Sequence, residues 1–343
     1  MEKLLQSKFK PSESEMEYFI NSYKTLRMPM DFLSYKWCPF EDEENMVELC
    51  VHMMKDMLEP QLATNDPLLF ELTCIVRNTY RDLPYHNFEH AVGVMHCAYI
   101  ILKRNRGLFD QIEVTSIMIS ALCHDVDHPG LTNSFLVTIN HPLAKLYEKS
   151  PLEHHHYYLC YYLLKNFKIF QHLDSNEYSK LMNNIKNNIL ATDLAVFLER
   201  RRNILKLKRN KAFNIISEPD RSLMKSILMT ACDLSSTCKP FPPARMYTEA
   251  IIKEFYEQGD KEKMLGLIPA SIMNRDLSAR LPEEQVRFYV SLALPCYSLL
   301  VQIIPNTEQL YYGCLKVYFQ WQLEVDKKSQ PVWKVEESYL SAE

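Results

Sequence analysis

An all-α fold is what this sequence predicts, and three observations carry that reading. Six glycines in 343 residues leave few positions for tight turns, far below the usual share of about 7%. Apolar residues recur at three- and four-residue spacing over long stretches, whereas the strict alternation of a half-buried strand is scarce. At 47% hydrophobic composition the chain can bury a substantial core, and no internal repeat, low-complexity tract or Gly/Ser linker divides it. The expectation is one compact multi-helix domain over 1–343, with an N-terminal helical part to about 77, a core over 78–321 and a polar tail over 322–343.

In chain order, the spacing predicts helices over 44–58, 66–78, 88–103, 112–124, 152–166, 175–208 with an interruption, 219–233, 243–258 and 282–304. Prolines, Asx and serine residues mark the breaks between them. Asn87 is placed to cap the helix that starts at Phe88. Pro129-Gly130 stops the one that runs into His124. Beyond about Val325 the chain is polar and charged and is expected to fray or pack loosely.

A net charge of −4 and a pI near 6.3 give no global pull toward nucleic acid or an anionic membrane. The ten cysteines lie scattered through apolar segments without a CxxC pair, as buried thiols of a reducing compartment would. Residues 1–15 are charged and lack the apolar stretch of a secretory signal. The longest apolar stretch, 289–304, contains Pro295 and falls short of the ~20 residues of a membrane helix. These features predict a cytoplasmic protein with no membrane span.

The chemistry is concentrated in a few segments. In Tyr85-His86-Asn87-Phe88-Glu89-His90, an Asn87 cap puts His90 in the first helical turn and His86 just outside it, facing the same cavity. The apolar run Ile117, Met118, Ile119, Ala121, Leu122 drives its helix inward and ends in His124-Asp125-Val126-Asp127-His128. Burying an ionised Asp costs several kcal/mol unless it is paired or coordinates a metal, so a metal explains this run economically; an Asp/His capping cluster is the alternative. Asp233, at the end of Ile227-Leu228-Met229-Thr230-Ala231-Cys232, is either helix-terminal and solvated or a ligand. Together His90, His124, Asp125 and Asp233 form a mixed imidazole and carboxylate set suited to Zn²⁺, with Asp125 free to bridge to a harder Mg²⁺ or Mn²⁺. Two such ions, roughly 3.5–4 Å apart, are the arrangement of two-metal phosphohydrolases.

From about Asn78 to Trp321 the chain resembles the catalytic domain of class I cyclic-nucleotide phosphodiesterases. The resemblance rests on Tyr85-His86-Asn87, His90, His124-Asp125-x-Asp127-His128, Glu153-x-x-His156, Ala191-Thr192-Asp193-Leu194, Thr230-Ala231-Cys232-Asp233-Leu234 and Gln285-x-x-Phe288. Within that family, Leu294-Pro295-Cys296-Tyr297 and Gln302-Ile303-Ile304-Pro305-x-Thr307-Glu308 are most similar to type 10.

The resemblance implies a helical metallophosphodiesterase that hydrolyses the 3′ ester of cyclic AMP and cyclic GMP. It makes His90, His124, Asp125 and Asp233 the ligands of the first ion and Asp125 a bridge to the second. His86 becomes the general acid on the leaving oxygen. His128, Glu153 and His156 become water-holding groups near the second ion, and Asp193 an acid of the pocket wall. Tyr85, Gln285, Phe288 and Phe255 belong to the substrate pocket, with Gln285 on the purine edge and Phe288 stacked on the base. The implied cofactors are Zn²⁺ and Mg²⁺ or Mn²⁺, and a homodimer is compatible with the family. Relatives carry N-terminal regulatory modules, expected to be absent here.

Phe88 and Phe241 stand where many relatives carry Trp, Pro129 replaces a common Arg, Ile252 a Tyr of type 10, and Glu284 a smaller residue; all lie beside the chemistry. The run from Arg200 to Lys211 holds seven basic residues interleaved with Ile204, Leu205 and Leu207. Such a run ordinarily forms a solvated helix face.

Overall fold

The structure, a computed structural model, describes residues 9–58, 65–167, 169–209 and 213–329. The regular structure among the described residues is all helical, with no strand. In chain order the helices are α1 (Glu13–Lys24), α2 (Met46–Met57), α3 (Asp66–Thr79), α4 (Phe88–Arg104), α5 (Gln111–Cys123), α6 (Asn133–Thr138), α7 (Pro142–Leu146) and α8 (Pro151–Phe167). They continue with α9 (Ser175–Ile189), α10 (Leu194–Arg209), α11 (Glu218–Asp233), α12 (Phe241–Met264), α13 (Leu281–Phe288), α14 (Leu294–Ile303) and α15 (Glu308–Ser329).

The caps explain several boundaries. The Asn87 side chain accepts from His90 N at 3.0 Å, which starts α4 where the sequence placed it. Asp110 and Glu113 form a reciprocal capping box at the start of α5. The interruption expected within 175–208 falls between α9 and α10, where Asp193 accepts from Ala195 N at 2.9 Å. Four helices had no counterpart in the sequence reading: α1, the short α6 and α7, and α15. The last crosses the 321/322 boundary and enters the start of the segment expected to fray, ending at Ser329; buried Leu310, Cys314, Val317 and Trp321 seat its first part on the core. Residues 330–343 lie outside the described residues.

The apolar stretch expected at 289–304 is the end of a longer helical run. Arg275–Ile303 is long and apolar enough, by length and composition, to cross a membrane, which corrects the shorter stretch read from the sequence. A π turn at Tyr289–Ala293 interrupts it. Tyr289, Tyr297 and Leu300 are buried in the core, Tyr297 donating to Ala231 O at 2.9 Å, as in the core helix of a globular protein.

Two helices set the geometry of the site. Buried Glu113, near the start of α5, accepts from Arg221 and from Lys225 near the start of α11, at 2.7 Å and 3.0 Å. Burial alone would raise this carboxyl, but Arg221 and Lys225 outweigh it and hold the group below its usual range. From Glu113 to Asp125, just past the end of α5, and from Arg221 to Asp233, the last residue of α11, the chain covers twelve residues each, almost all of them helical and rising about 1.5 Å apiece. The ion network at one end therefore fixes the register in which the two carboxylates meet at the other.

Candidate metal centre

Each member of the cluster is aimed by an element end. His90 occupies the first turn of α4, His124 and Asp125 follow α5, and Asp233 is the last residue of α11. Asp233 is thus helix-terminal, and its mostly buried carboxylate faces the other three rather than open solvent. One atom from each of the four lies within 4.8 Å of the others. His90 Nε2 stands 3.2 Å from His124 Nε2, 3.1 Å from Asp233 Oδ1 and 3.5 Å from Asp125 Oδ2. His124 Nε2 is 3.1 Å from Asp125 Oδ2 and 3.4 Å from Asp233 Oδ1.

Atoms on the far side fix these orientations. The fully buried His124 ring donates from Nδ1 to Ala121 O at 2.9 Å, which turns Nε2 inward. Tyr80 donates to Leu122 O at 2.9 Å, and Asp127 N donates to Thr79 O at 3.2 Å, so the end of α3 grips the end of α5. Asp127 adopts a left-handed backbone at φ 59°, and its carboxylate accepts from Arg81 at 2.7 Å and from His155 at 2.9 Å.

A second set shares Asp125. Its other oxygen is 3.7 Å from His156 Nε2, and His128 completes a group of three ligand-type atoms. His156 donates from Nδ1 to Val126 O at 2.8 Å, and its buried Nε2 has no hydrogen-bond partner. An orphaned imidazole nitrogen beside a carboxylate is what a cation, or water held by one, would satisfy. Glu153 accepts from Asn133 at 2.9 Å, and Asp193 accepts from Ser150 at 2.6 Å.

The electrostatics agree with a cation site. Burial pushes His90 and His128 down, and His156 to about 4, so these rings are neutral and able to ligate. Burial acts the same way on His124, but Asp125 and Asp233 outweigh it and favour its protonated form. The two carboxylates thus favour positive charge at this spot, as a divalent ion would supply. Burial, with Asp193 adding to it, raises Glu153 to about 7.

His86 stands beside the cluster. Its ring stacks on His128 at 4.0 Å, and its Nδ1 lies 2.6 Å from Glu254 Oε2. The other oxygen of Glu254 accepts from Tyr85 N and His86 N, at 2.7 Å and 2.8 Å. Burial alone would lower His86, but the Glu254 bond and the surrounding carboxylates outweigh it and raise the group. Glu254 is absent from the sequence-derived set. It sits in the α12 stretch Lys253-Glu254-Phe255-Tyr256-Glu257, among other charges that look alike, and only folding brings it to a histidine 168 residues away.

The expected substrate residues are distributed less tightly. Tyr85 packs its ring on His90 at 4.6 Å and bonds Ser236 at 3.2 Å. Gln285 is buried on α13, Phe288 packs partly against the core, and Phe255 is half-buried on α12. Among the described residues no hydrogen bond or ring contact links these three to the metal cluster.

Residues 85–314 match the family model described as 3'5'-cyclic nucleotide phosphodiesterase. The chain is 34% identical over 286 residues to the "Probable 3',5'-cyclic phosphodiesterase pde-5" of Caenorhabditis elegans, covering 82% of this chain and 39% of that protein. It is 32% identical to a "cGMP-specific 3',5'-cyclic phosphodiesterase" of Drosophila melanogaster, covering 80% of this chain and 25% of that protein. The chain therefore spans about a quarter to two fifths of these relatives' length. The crystal structure of the phosphodiesterase domain of the RhoPDE fusion protein from the choanoflagellate Salpingoeca rosetta superposes with a TM-score of 0.83 at 25% identity, covering 90% of this chain and all of that domain. None of these relatives is named for type 10, the subgroup that residues 294–297 and 302–308 resemble.

Proposed function

This chain belongs to the 3',5'-cyclic nucleotide phosphodiesterase family, and from that premise we propose that it hydrolyses the 3′ ester of cyclic AMP and cyclic GMP to 5′-nucleoside monophosphates, ending cyclic-nucleotide signalling. The observation that carries the reading is the adjacency of two constellations: a mixed imidazole and carboxylate cage, and a histidine held by a buried glutamate next to it.

His90, His124, Asp125 and Asp233 would hold one ion, Zn²⁺ by the nature of the donors. The second oxygen of Asp125, with His128, His156 and the nearby Glu153, would face a harder Mg²⁺ or Mn²⁺, largely through water. When bound, these ions supply Lewis acidity to water and to the phosphoryl oxygens at neutral pH.

The remaining steps belong to the chain. A carboxylate can only accept, so His86 donates from Nδ1 to Glu254 and carries its transferable proton on Nε2. That proton would pass to the departing 3′-oxygen, sparing it from leaving as a strong base. Phe288 and Phe255 would wall the base, Tyr85 would shape the pocket beside His90, and Asp193 would stiffen the wall through Ser150.

The base reading rests on Gln285. Its amide makes no hydrogen bond among the described residues. The neighbours able to lock it are occupied: Glu284 accepts from Ser271 at 2.9 Å and Arg287 at 3.1 Å, and Tyr289 donates to Thr237 O at 3.3 Å. A free amide can serve the edge of adenine or of guanine, and the type 10 resemblance agrees with dual use. The relatives named cGMP-specific favour a second reading, a preference for cyclic GMP. Initial rates on cyclic AMP, cyclic GMP and a linear diester, with and without chelator, separate these. Chelator-sensitive turnover of both cyclic nucleotides supports the first reading, cyclic GMP alone the second, and the linear diester alone defeats both.

A further inference from the structure

Helix α10 carries six Lys or Arg against one Glu, in a chain whose net charge is −4. Its two faces are sharply different. Phe197 and Ile204, seven residues apart, are fully buried and seat the helix on the body. About a quarter turn round the helix from them, at the edge of the exposed face, Leu198 and Leu205, also seven apart, are 42% and 41% exposed. At 3.6 residues per turn, exposed Arg202, Lys206 and Arg209 lie along one side of that leucine stripe, and half-exposed Arg201 along the other. Among the described residues, Arg202, Lys206 and Arg209 have no carboxylate partner.

Solvation of the basic side chains alone leaves unexplained two exposed leucines in register beside them. We propose that this face of α10 docks the protein on an anionic lipid surface, the leucines entering the boundary between headgroups and acyl chains and the basic side chains meeting lipid phosphates. Charge complementarity selects the partner, because a locally positive face on a negative chain is attracted to an anionic surface at short range while the rest is repelled. Nucleic acid would engage the same charges. It would, however, leave the leucines in water, and the exposed side of α10 offers no aromatic ring on which a base could stack.

Sedimentation of the full chain with phosphatidylcholine vesicles, with and without phosphatidylserine, tests the proposal. Binding is expected only with phosphatidylserine and should weaken as salt rises. The Arg202→Gln/Lys206→Gln/Arg209→Gln variant should partition about five-fold less per charge removed, on the order of 10² in all. Leu198→Ser/Leu205→Ser should remove the salt-resistant part of binding. Circular dichroism and turnover of soluble cyclic nucleotide should be unchanged in both, since neither set touches the site. Equal partition onto neutral vesicles, no partition at all, an unaffected triple variant, or displacement from vesicles by a single-stranded RNA that binds more tightly would overturn it.

Discussion

The metal cluster and the Gln285 end of the site are built on opposite terms. Several groups at and around the cluster are held from behind: His124 by Ala121 O, His156 by Val126 O, Asp127 by Arg81 and His155, His86 by Glu254. The buried Gln285 amide makes no side-chain hydrogen bond among the described residues, on an eight-residue helix that runs into a π turn. Rigid preorganisation is where charge must be stabilised, and an unpinned amide is where two bases can be accepted. On the proposed function, the difference teaches that chemistry and base choice would vary independently.

The strongest way to break the comparison is at the cluster. Asp233→Ala or His124→Ala should cut divalent-ion occupancy and turnover together, because losing one of four protein donors weakens the hold on the ion. Metal content by atomic emission, read beside activity, checks it; near-native values for both would remove these residues from the cage. Next in size, His86→Ala should lower kcat by about 10²–10⁴ with metal content kept. A substrate whose leaving group needs no protonation should recover the loss, and an equal loss on both substrates would make His86 a ligand instead.

Much of the tight end was readable in one dimension. His124-Asp125 closing an apolar helix, Asp233 closing another and His90 behind an Asn87 cap each announce a polar group that burial must satisfy. Glu254 was not readable, since its partner lies 168 residues away and its neighbours on α12 are charged as well. Nor were α6 and α7, of six and five residues, too short to show a period, or α15, whose buried stripe is blurred by exposed Tyr312, Phe319 and Leu323. Positions that only packing defines, such as the twelve-residue register shared by α5 and α11, leave no local trace.

Glu254→Gln sharpens the contrast between held and free groups. Glutamine keeps an acceptor but loses the charge, so kcat should fall about 10–100-fold, the range for partners that orient a reacting group. The pH profile carries the diagnostic. Glu254 raises His86, and His86 must be protonated to act as the acid, so activity is lost as pH rises through its pKa. Without the carboxylate that pKa falls, and the alkaline limb should move to lower pH. An unmoved limb with the same loss of rate would mean that Glu254 only braces the loop through Tyr85 N and His86 N.

The smallest effect is expected at the free end. Gln285→Ala removes a donor and an acceptor together, leaving the purine edge unpaired in a desolvated slot, at about 1–3 kcal/mol for either base. Because nothing orients the amide in the wild type, cyclic AMP and cyclic GMP should lose similar factors of kcat/KM, and metal content should not change. An asymmetric loss, large for cyclic GMP and negligible for cyclic AMP, would mean that the amide is fixed in one orientation once substrate enters. Glu284→Ala then distinguishes the source. If Glu284 supplies the lock after giving up Ser271 or Arg287, its removal should relax the asymmetry; if it stays with those partners, base preference should be untouched. Measured kcat/KM for both nucleotides on wild type and the two variants decides whether base choice resides in a single rotatable amide.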